Sequence, residues 1–181
     1  MVLKSVFYPP PSMKNMVYCV HPCPCGNFGS QKAGGCAPAV VTRYQKRISG
    51  PLLDRIDIHV EVPSVDYEKL SSERLGETSE TIRKRVQAAR DIQYKRFSNG
   101  ESKDIVCNAD MRIGEIRQFC KLDDQSQSLM RLPMTQLNLS ARGYHRVLKL
   151  ARTIADLAGN EDIQSVHLAE ALQYRPQLMT G

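Results

Sequence analysis

Three cysteines offer the first chemistry in this chain, in Cys23-Pro24-Cys25-Gly26 and at Cys36. Three thiolates within fourteen residues can reach one zinc ion, and zinc in a closed structural site takes four sulfur or nitrogen ligands. Cys19 and His21 are the candidates for the fourth. In an extended chain, positions 19, 21, 23 and 25 share a side. The alternative is a reduced, metal-free loop. A second candidate is Arg55, which stands between Asp54 and Asp57. It is either an exposed partner for those carboxylates or an arginine finger that reaches a phosphate on a neighbouring subunit. A guanidinium suits the second role because it is always charged and its planar fork matches phosphate oxygens. Third, Arg142, His145, Lys149 and Arg152 recur at helical spacing, with Arg146 adjacent. They form either a solvated outer face or a basic stripe that brings Arg142, in a first helical turn, to a phosphate. The unbonded N–H groups of that turn favour an anion.

Other signatures are absent from the sequence. It has no Gly-x-x-x-x-Gly-Lys-Ser/Thr phosphate loop, because Gly29 to Gly34 continues into Gly35-Cys36 without a lysine. No apolar strand ends in Asp-Glu to hold magnesium, and there is no Gly-x-Ser-x-Gly elbow or His-Glu-x-x-His pair. Nothing here composes a self-sufficient active site.

The elements that must position these residues follow from periodicity. Residues 19–36 read as a Cys-, Gly- and Pro-rich loop, and residues 39–48 as a short helix with a basic end. Ile56, Ile58, Val60 and Val62 alternate with Asp57, His59 and Glu61, which predicts a strand within residues 52–62, stopped by Pro63. One strand needs partners, so its neighbours are expected to come from elsewhere. Residues 63–77 read as a linker. From Thr78 the pattern is helical, with Ile82, Val86, Ala89 and Ile92 or Gln93 recurring until Asn99-Gly100. Helices are expected near 112–120 and near 124–137, the latter interrupted by Pro133. The strongest starts at Ser140, a good N-cap. It carries Tyr144, Val147, Leu148, Ala151, Ile154, Ala155 and Ala158 on one face and stops at Gly159. A last helix should follow Ser165 as N-cap and end before Pro176.

The 181 residues carry a formal net charge of +6, which favours anionic partners such as nucleic acid or nucleotide phosphates. Six cysteines, four of them in residues 19–36, suggest metal before disulfide in a cytosolic chain. No apolar run approaches the roughly 20 residues of a membrane span. The N-terminus, broken by Pro9-Pro10-Pro11, lacks the apolar segment of a signal peptide. A cytoplasmic protein is expected.

Four stretches together resemble one family: Pro22-Cys-Pro-Cys-Gly26; Arg43-Tyr-Gln45 with Arg47-Ile-Ser-Gly-Pro-Leu-Leu-Asp-Arg-Ile-Asp-Ile-His-Val-Glu-Val62; Leu139-Ser-Ala-Arg-Gly-Tyr-His-Arg-Val-Leu-Lys-Leu-Ala-Arg-Thr-Ile-Ala-Asp-Leu-Ala-Gly159; and His167-Leu-Ala-Glu-Ala-Leu-Gln-Tyr-Arg175. The chain resembles the C-terminal part of the magnesium-chelatase-like AAA+ ATPase family of the ComM and YifB type, over roughly residues 21–176. The resemblance implies a mainly α fold: a helical AAA+ lid over residues 78–181, preceded by a remnant of the α/β core, one strand plus the Cys-rich loop, over residues 1–62. It implies that Arg55 is the arginine finger, acting on ATP of the adjacent protomer, and that Arg142 is sensor 2. His21 stands at the sensor-1 position, where the family has Asn. Gly34 replaces the first cysteine of the family's second Cys-x-Cys pair.

ATP and magnesium are the implied cofactors, but the phosphate loop and the acidic magnesium motif are expected upstream of residue 1. A truncated gene or damaged reading frame is the expected cause, and no hydrolysis is expected from the chain alone. The implied partners are neighbouring protomers in a ring and DNA undergoing recombination, with no membrane. The alternative is a zinc-stabilised basic helical module that binds DNA or a protein without nucleotide. A remnant without function is the third reading.

Overall fold

The computed structural model describes residues 4–6, 17–19, 21, 23–27, 35–47, 55–62, 71, 76–98, 104–136 and 139–175. Pro9-Pro10-Pro11, Asp54, most of the 63–77 linker and Pro176 lie outside the described residues. The chain divides into two compact units. One is Met1–Leu52 with Val62–Asp66; the other is Leu53–Glu61 with Tyr67–Gly181.

In the first unit, β1 (Lys4–Val6) and β2 (Val17–Cys19) pair antiparallel, with Ser5 opposite Tyr18. Nothing in the periodicity of residues 1–18 foretold this pair. Helix α1 (Pro38–Gln45) corresponds to the helix expected at 39–48. It starts on a proline, whose missing N–H costs nothing at a helix start, and it buries Val41.

The second unit is helical, as expected. It contains α2 (Ser79–Ser98), a 3-10 turn (Asn108–Asp110), α3 (Ile113–Phe119), α4 (Asp124–Gln136), α5 (Ala141–Leu157) and α6 (Ser165–Gln173). The ends are set by local chemistry. Ser140 Oγ accepts from the Gly143 amide at 3.0 Å, the expected cap of α5. Asp123 Oδ1 accepts from the Ser126 amide at 2.8 Å and caps α4. Hydrogen bonding from Ser126, side chain first and amide second, holds the Asp123 carboxyl below the usual range. At the C-terminus of α5, Gly159 has φ +73°, its amide donates to Asp156 O at 3.1 Å, and the Asn160 amide donates to Ala155 O at 2.9 Å. This is the paired turn that a left-handed residue after a helix permits. At α6, Gln164 takes the cap position expected of Ser165, and its amide donates to His167 Nδ1 at 3.1 Å.

Helix α5 is the centre of the unit. Val147, Leu148, Ala151 and Ala155 are buried among Phe97, Ile105, Met111, Ile116, Cys120, Met130, Ile163, Leu168 and Ala171. Phe97 and Phe119 meet edge-on with centroids 5.7 Å apart. Contrary to the expected interruption, α4 runs through Pro133. Leu129, Met130 and Met134, on both sides of the proline, pack in the core, and that packing offsets the lost N–H bond. The apolar stripe expected along α2 takes part only at its C-terminal end. Ala89, Gln93 and Phe97 are buried, while Ile82 and Val86 remain about 40% exposed.

The strand expected within residues 52–62 does not form in its described part. Among the described residues none pairs in a ladder with residues 55–62, and Ile58, Val60 and Val62 are exposed. Alternation alone does not make a strand; it also needs a partner to bond it. Residues 55–59 instead satisfy part of their backbone on the helical unit.

Candidate functional site

In the first unit, Gly26 closes a tight turn. Its amide donates to Cys23 O at 3.2 Å and its φ is +79°, which favours glycine. That turn sets Cys23 Sγ 3.2 Å from Cys25 Sγ. Cys36, just before α1, completes a cluster whose three sulfurs lie within 4.8 Å of one another. Cys23 is buried and Cys25 exposed. The Asn27 backbone N–H, followed by the Cys23 and Cys36 thiols, lowers the Cys25 pKa to about 7, while hydrogen bonding to Cys25 raises that of Cys36. Such a cluster can hold a soft metal ion. The ring of His21 lies against the same turn. A Cβ placed on Gly26 would sit 3.5 Å from His21 Nδ1.

In the second unit, the segment carrying Arg55 is bonded to α5 and to the end of α6. Arg146 Nη1 donates to Arg55 O at 2.7 Å and to Asp57 Oδ1 at 2.6 Å. The Arg175 guanidinium donates to Ile56 O at 3.3 Å and to Gly143 O at 3.0 Å. The His59 amide donates to Tyr174 O at 2.9 Å, and His59 Nδ1 lies 3.2 Å from the same oxygen. Desolvation lowers the His59 pKa; the Tyr174 carbonyl opposes that effect. The side chains of Arg55 and Arg142 are both exposed. One guanidinium therefore fixes the residue after each of them.

The basic stripe on α5 does not survive folding. Arg152 is 3% exposed and turns inward. Its Nε donates to Asp156 Oδ1 at 3.1 Å, and its other nitrogens donate to Asn160 O and Glu161 O, both at 2.6 Å. Lys149 Nζ donates to Ala109 O at 2.8 Å. Burial lowers its pKa. Helical spacing defines a face without specifying whether solvent or protein covers it. Arg175, Tyr174 and His59 were not singled out by sequence reasoning. Arg175 lies 119 residues from Ile56, and no local pattern signals such a contact.

Among the described residues, no helix is long and apolar enough to cross a membrane. The family profile described as magnesium chelatase, subunit ChlI C-terminal, matches residues 76–175, and that of magnesium chelatase, subunit ChlI, matches residues 4–70. The chain is 38% identical to the competence protein ComM of Haemophilus influenzae and 38% identical to YifB of Escherichia coli, in each case over 91% of this chain and 31% of the relative. YifB of Salmonella typhimurium is 35% identical over the same shares. The chain thus spans about a third of the length of the curated relatives it matches. Two adjoining profile matches that together take in both the cysteine turn and the helical unit make this chain a member of the magnesium chelatase ChlI family.

Proposed function

We propose that the chain acts as the C-terminal part of a magnesium-chelatase-like AAA+ ATPase of the ComM and YifB type. In this reading residues 78–181 are the lid, Arg142 is sensor 2 within its own protomer, and Arg55 is the finger that reaches ATP of the adjacent protomer in a ring. ATP and magnesium bind only together with a phosphate loop and an acidic motif, which this sequence lacks. Residues 1–181 alone do not turn over ATP, because those groups stabilise most of the phosphate charge. DNA is the proposed polymer partner, consistent with the net charge of +6, and the cytoplasm is the proposed compartment. A structural zinc at Cys23, Cys25 and Cys36 belongs to the same reading.

The observation that carries the proposal is the shared support of the two arginines. Arg55 and Arg142 keep exposed side chains while Arg175 grips the backbone just after each. A side chain that must meet a phosphate needs a fixed backbone and an unoccupied head. The alternative, a zinc-stabilised basic helical module that binds DNA or a protein without nucleotide, gives no reason for one guanidinium to hold the backbone after both Arg55 and Arg142.

The test uses an intact family ATPase carrying this chain's residues 21–176 in place of its own. Arg55→Ala and Arg142→Ala should each slow hydrolysis strongly; an arginine finger is worth about 10³–10⁵ in the GTPases. Mixing a phosphate-loop mutant with Arg55→Ala should restore activity at mixed interfaces, because an intact site then meets an intact finger. Mixing it with Arg142→Ala should restore little. Identical behaviour of the two mixtures sinks the assignment in trans and in cis. Unchanged hydrolysis in both single variants sinks the reading itself.

A further inference from the structure

We infer that His21, and not Cys19, is the fourth ligand of the metal cluster, giving a Cys3His zinc site made of His21, Cys23, Cys25 and Cys36. The inference rests on the zinc reading of the three cysteines and goes beyond it in naming the complete ligand set.

Three sulfurs leave a tetrahedral ion with one open position. A zinc ion bonds sulfur at about 2.3 Å, so its sulfurs stand about 3.8 Å apart. The three thiols already lie within 4.8 Å of one another, so small movements bring them onto one ion. Among the described residues no further Cys, His, Asp or Glu has an atom inside that cluster. Of the described residues, His21 is the one placed beside the turn to supply the fourth ligand by a side-chain movement. Its ring faces the turn that carries Cys23 and Cys25, with Nδ1 3.5 Å, and Cε1 and Cγ 3.9 Å, from where a Cβ on Gly26 would stand. A side chain at position 26 would occupy the face of the turn that His21 covers. Because His21 is exposed, its rotamers exchange readily. Imidazole nitrogen is a natural fourth donor for zinc, at about 2.0–2.1 Å. Cys19 belongs to β2, where its backbone is in register with Lys4. Binding through three thiols releases protons to solvent as the thiolates form.

This assignment gives His21 a structural task on the metal and takes it away from the nucleotide. The cluster would then tie the end of β2 to the start of α1 within the first unit. Among its described residues the first unit pairs two three-residue strands and buries Cys23 and Val41, and a zinc anchor would add to that support.

The experiment uses the full chain, purified under reducing conditions without added metal. Zinc content is measured by mass spectrometry, zinc affinity by chelator competition, and ligand type from the absorption of the cobalt-substituted protein. About one zinc per chain is expected, with the cobalt spectrum of a tetrahedral three-sulfur, one-nitrogen centre. His21→Ala should weaken zinc by more than about 100-fold, since even removing a group that merely orients a ligand costs 10–100-fold. His21→Cys should regain binding with an all-sulfur cobalt spectrum, and Cys19→Ser should leave both readouts unchanged. Unchanged helical circular dichroism in every variant shows that the second unit stays folded. If Cys19→Ser loses zinc while His21→Ala keeps it, the fourth ligand is Cys19 and the inference fails while the zinc reading stands. The inference also fails if His21→Cys does not regain zinc. Wild-type chain that takes up no zinc when it is supplied overturns the zinc reading itself.

Discussion

Arg146 on α5 and Asp57 beside the proposed finger form an ion pair at 2.6 Å across 89 residues of sequence. Their side chains are 29% and 54% exposed. A pair this open to water contributes less than about 1 kcal/mol. Arg175, 5% exposed, sits deeper and supplies two donors to carbonyls of the segment and of α5. Removing it leaves those oxygens without that donor, at a cost of about 1–3 kcal/mol.

The consequence is an order among variants. Arg175→Ala should release residues 55–59 from the helical unit, and Asp57→Ala should barely loosen them. Hydrogen exchange at the His59 amide, which donates to Tyr174 O, reads this directly. A fragment starting at residue 53 should likewise melt above one starting at 78, because the segment belongs to the helical unit. Equal exchange rates in the two variants would mean that exposed charge, and not the buried guanidinium, holds the segment.

His59 makes the same attachment sensitive to acid. Its pKa lies below the ordinary 6.5, first because burial disfavours the imidazolium; Arg175 adds to the effect, while the Tyr174 carbonyl and Asp57 oppose it. A depressed histidine binds fewer protons docked than undocked. Its contribution is complete above about 6.5 and is lost as the pH falls through the docked value. Protection of the His59 amide, corrected for intrinsic exchange, should therefore fall as the pH drops below about 6.5. His59→Gln should abolish that dependence. A flat profile in the wild type would remove His59 from the attachment.

The helical unit was legible because its signals are local. Ser140 and Gly159 mark α5, and the buried face from Val147 to Ala155 follows from spacing alone. The cysteine turn was legible for the same reason. Residues 55–62 alternate without pairing among the described residues, because alternation reports a two-sided chain without naming its partner. Arg152 misled because a helix face can turn toward carbonyls as well as toward water. Arg175 could not be read at all, since its meaning lies in two backbone oxygens far away in sequence.

The cysteines should divide sharply by reactivity in the reduced, metal-free chain. Cys25 is exposed with a pKa near 7, whereas burial pushes the Cys120 thiol up to about 11 and also raises Cys107. The thiolate is the nucleophile. Iodoacetamide should label Cys25 first, at a rate that climbs with pH through a midpoint of about 7. Cys120 should label only after unfolding, and zinc should protect Cys25. Peptide mass spectrometry over time reads all three; early labelling of Cys120 in folded protein would contradict its burial.

The strongest stability prediction concerns Asp156. Its side chain is wholly buried and accepts four bonds: from Arg96 at 2.9 and 2.5 Å, from Arg152 Nε at 3.1 Å and from Asn108 Nδ2 at 2.7 Å. The cluster joins α2, the 3-10 turn and α5, and through Arg152 it reaches the carbonyls of Asn160 and Glu161 at the α5–α6 turn. Asp156→Ala leaves two guanidinium groups facing each other without a counter-charge, and breaking a buried pair in this way costs about 3–5 kcal/mol. A domain of this size has only about 5–15 kcal/mol in total. Urea denaturation followed by circular dichroism should show the midpoint fall steeply, or no cooperative transition at all. Asp156→Asn keeps the shape and two acceptor lone pairs but loses the charge, so it should fall in between. Replacing Arg96, Arg152 and Asp156 together by apolar residues of similar volume should recover part of the loss, because no buried charge then remains. If Asp156→Ala unfolds no more easily than Asp57→Ala, the buried cluster contributes no more than the exposed pair, and the cohesion of the helical unit must come from its apolar core alone.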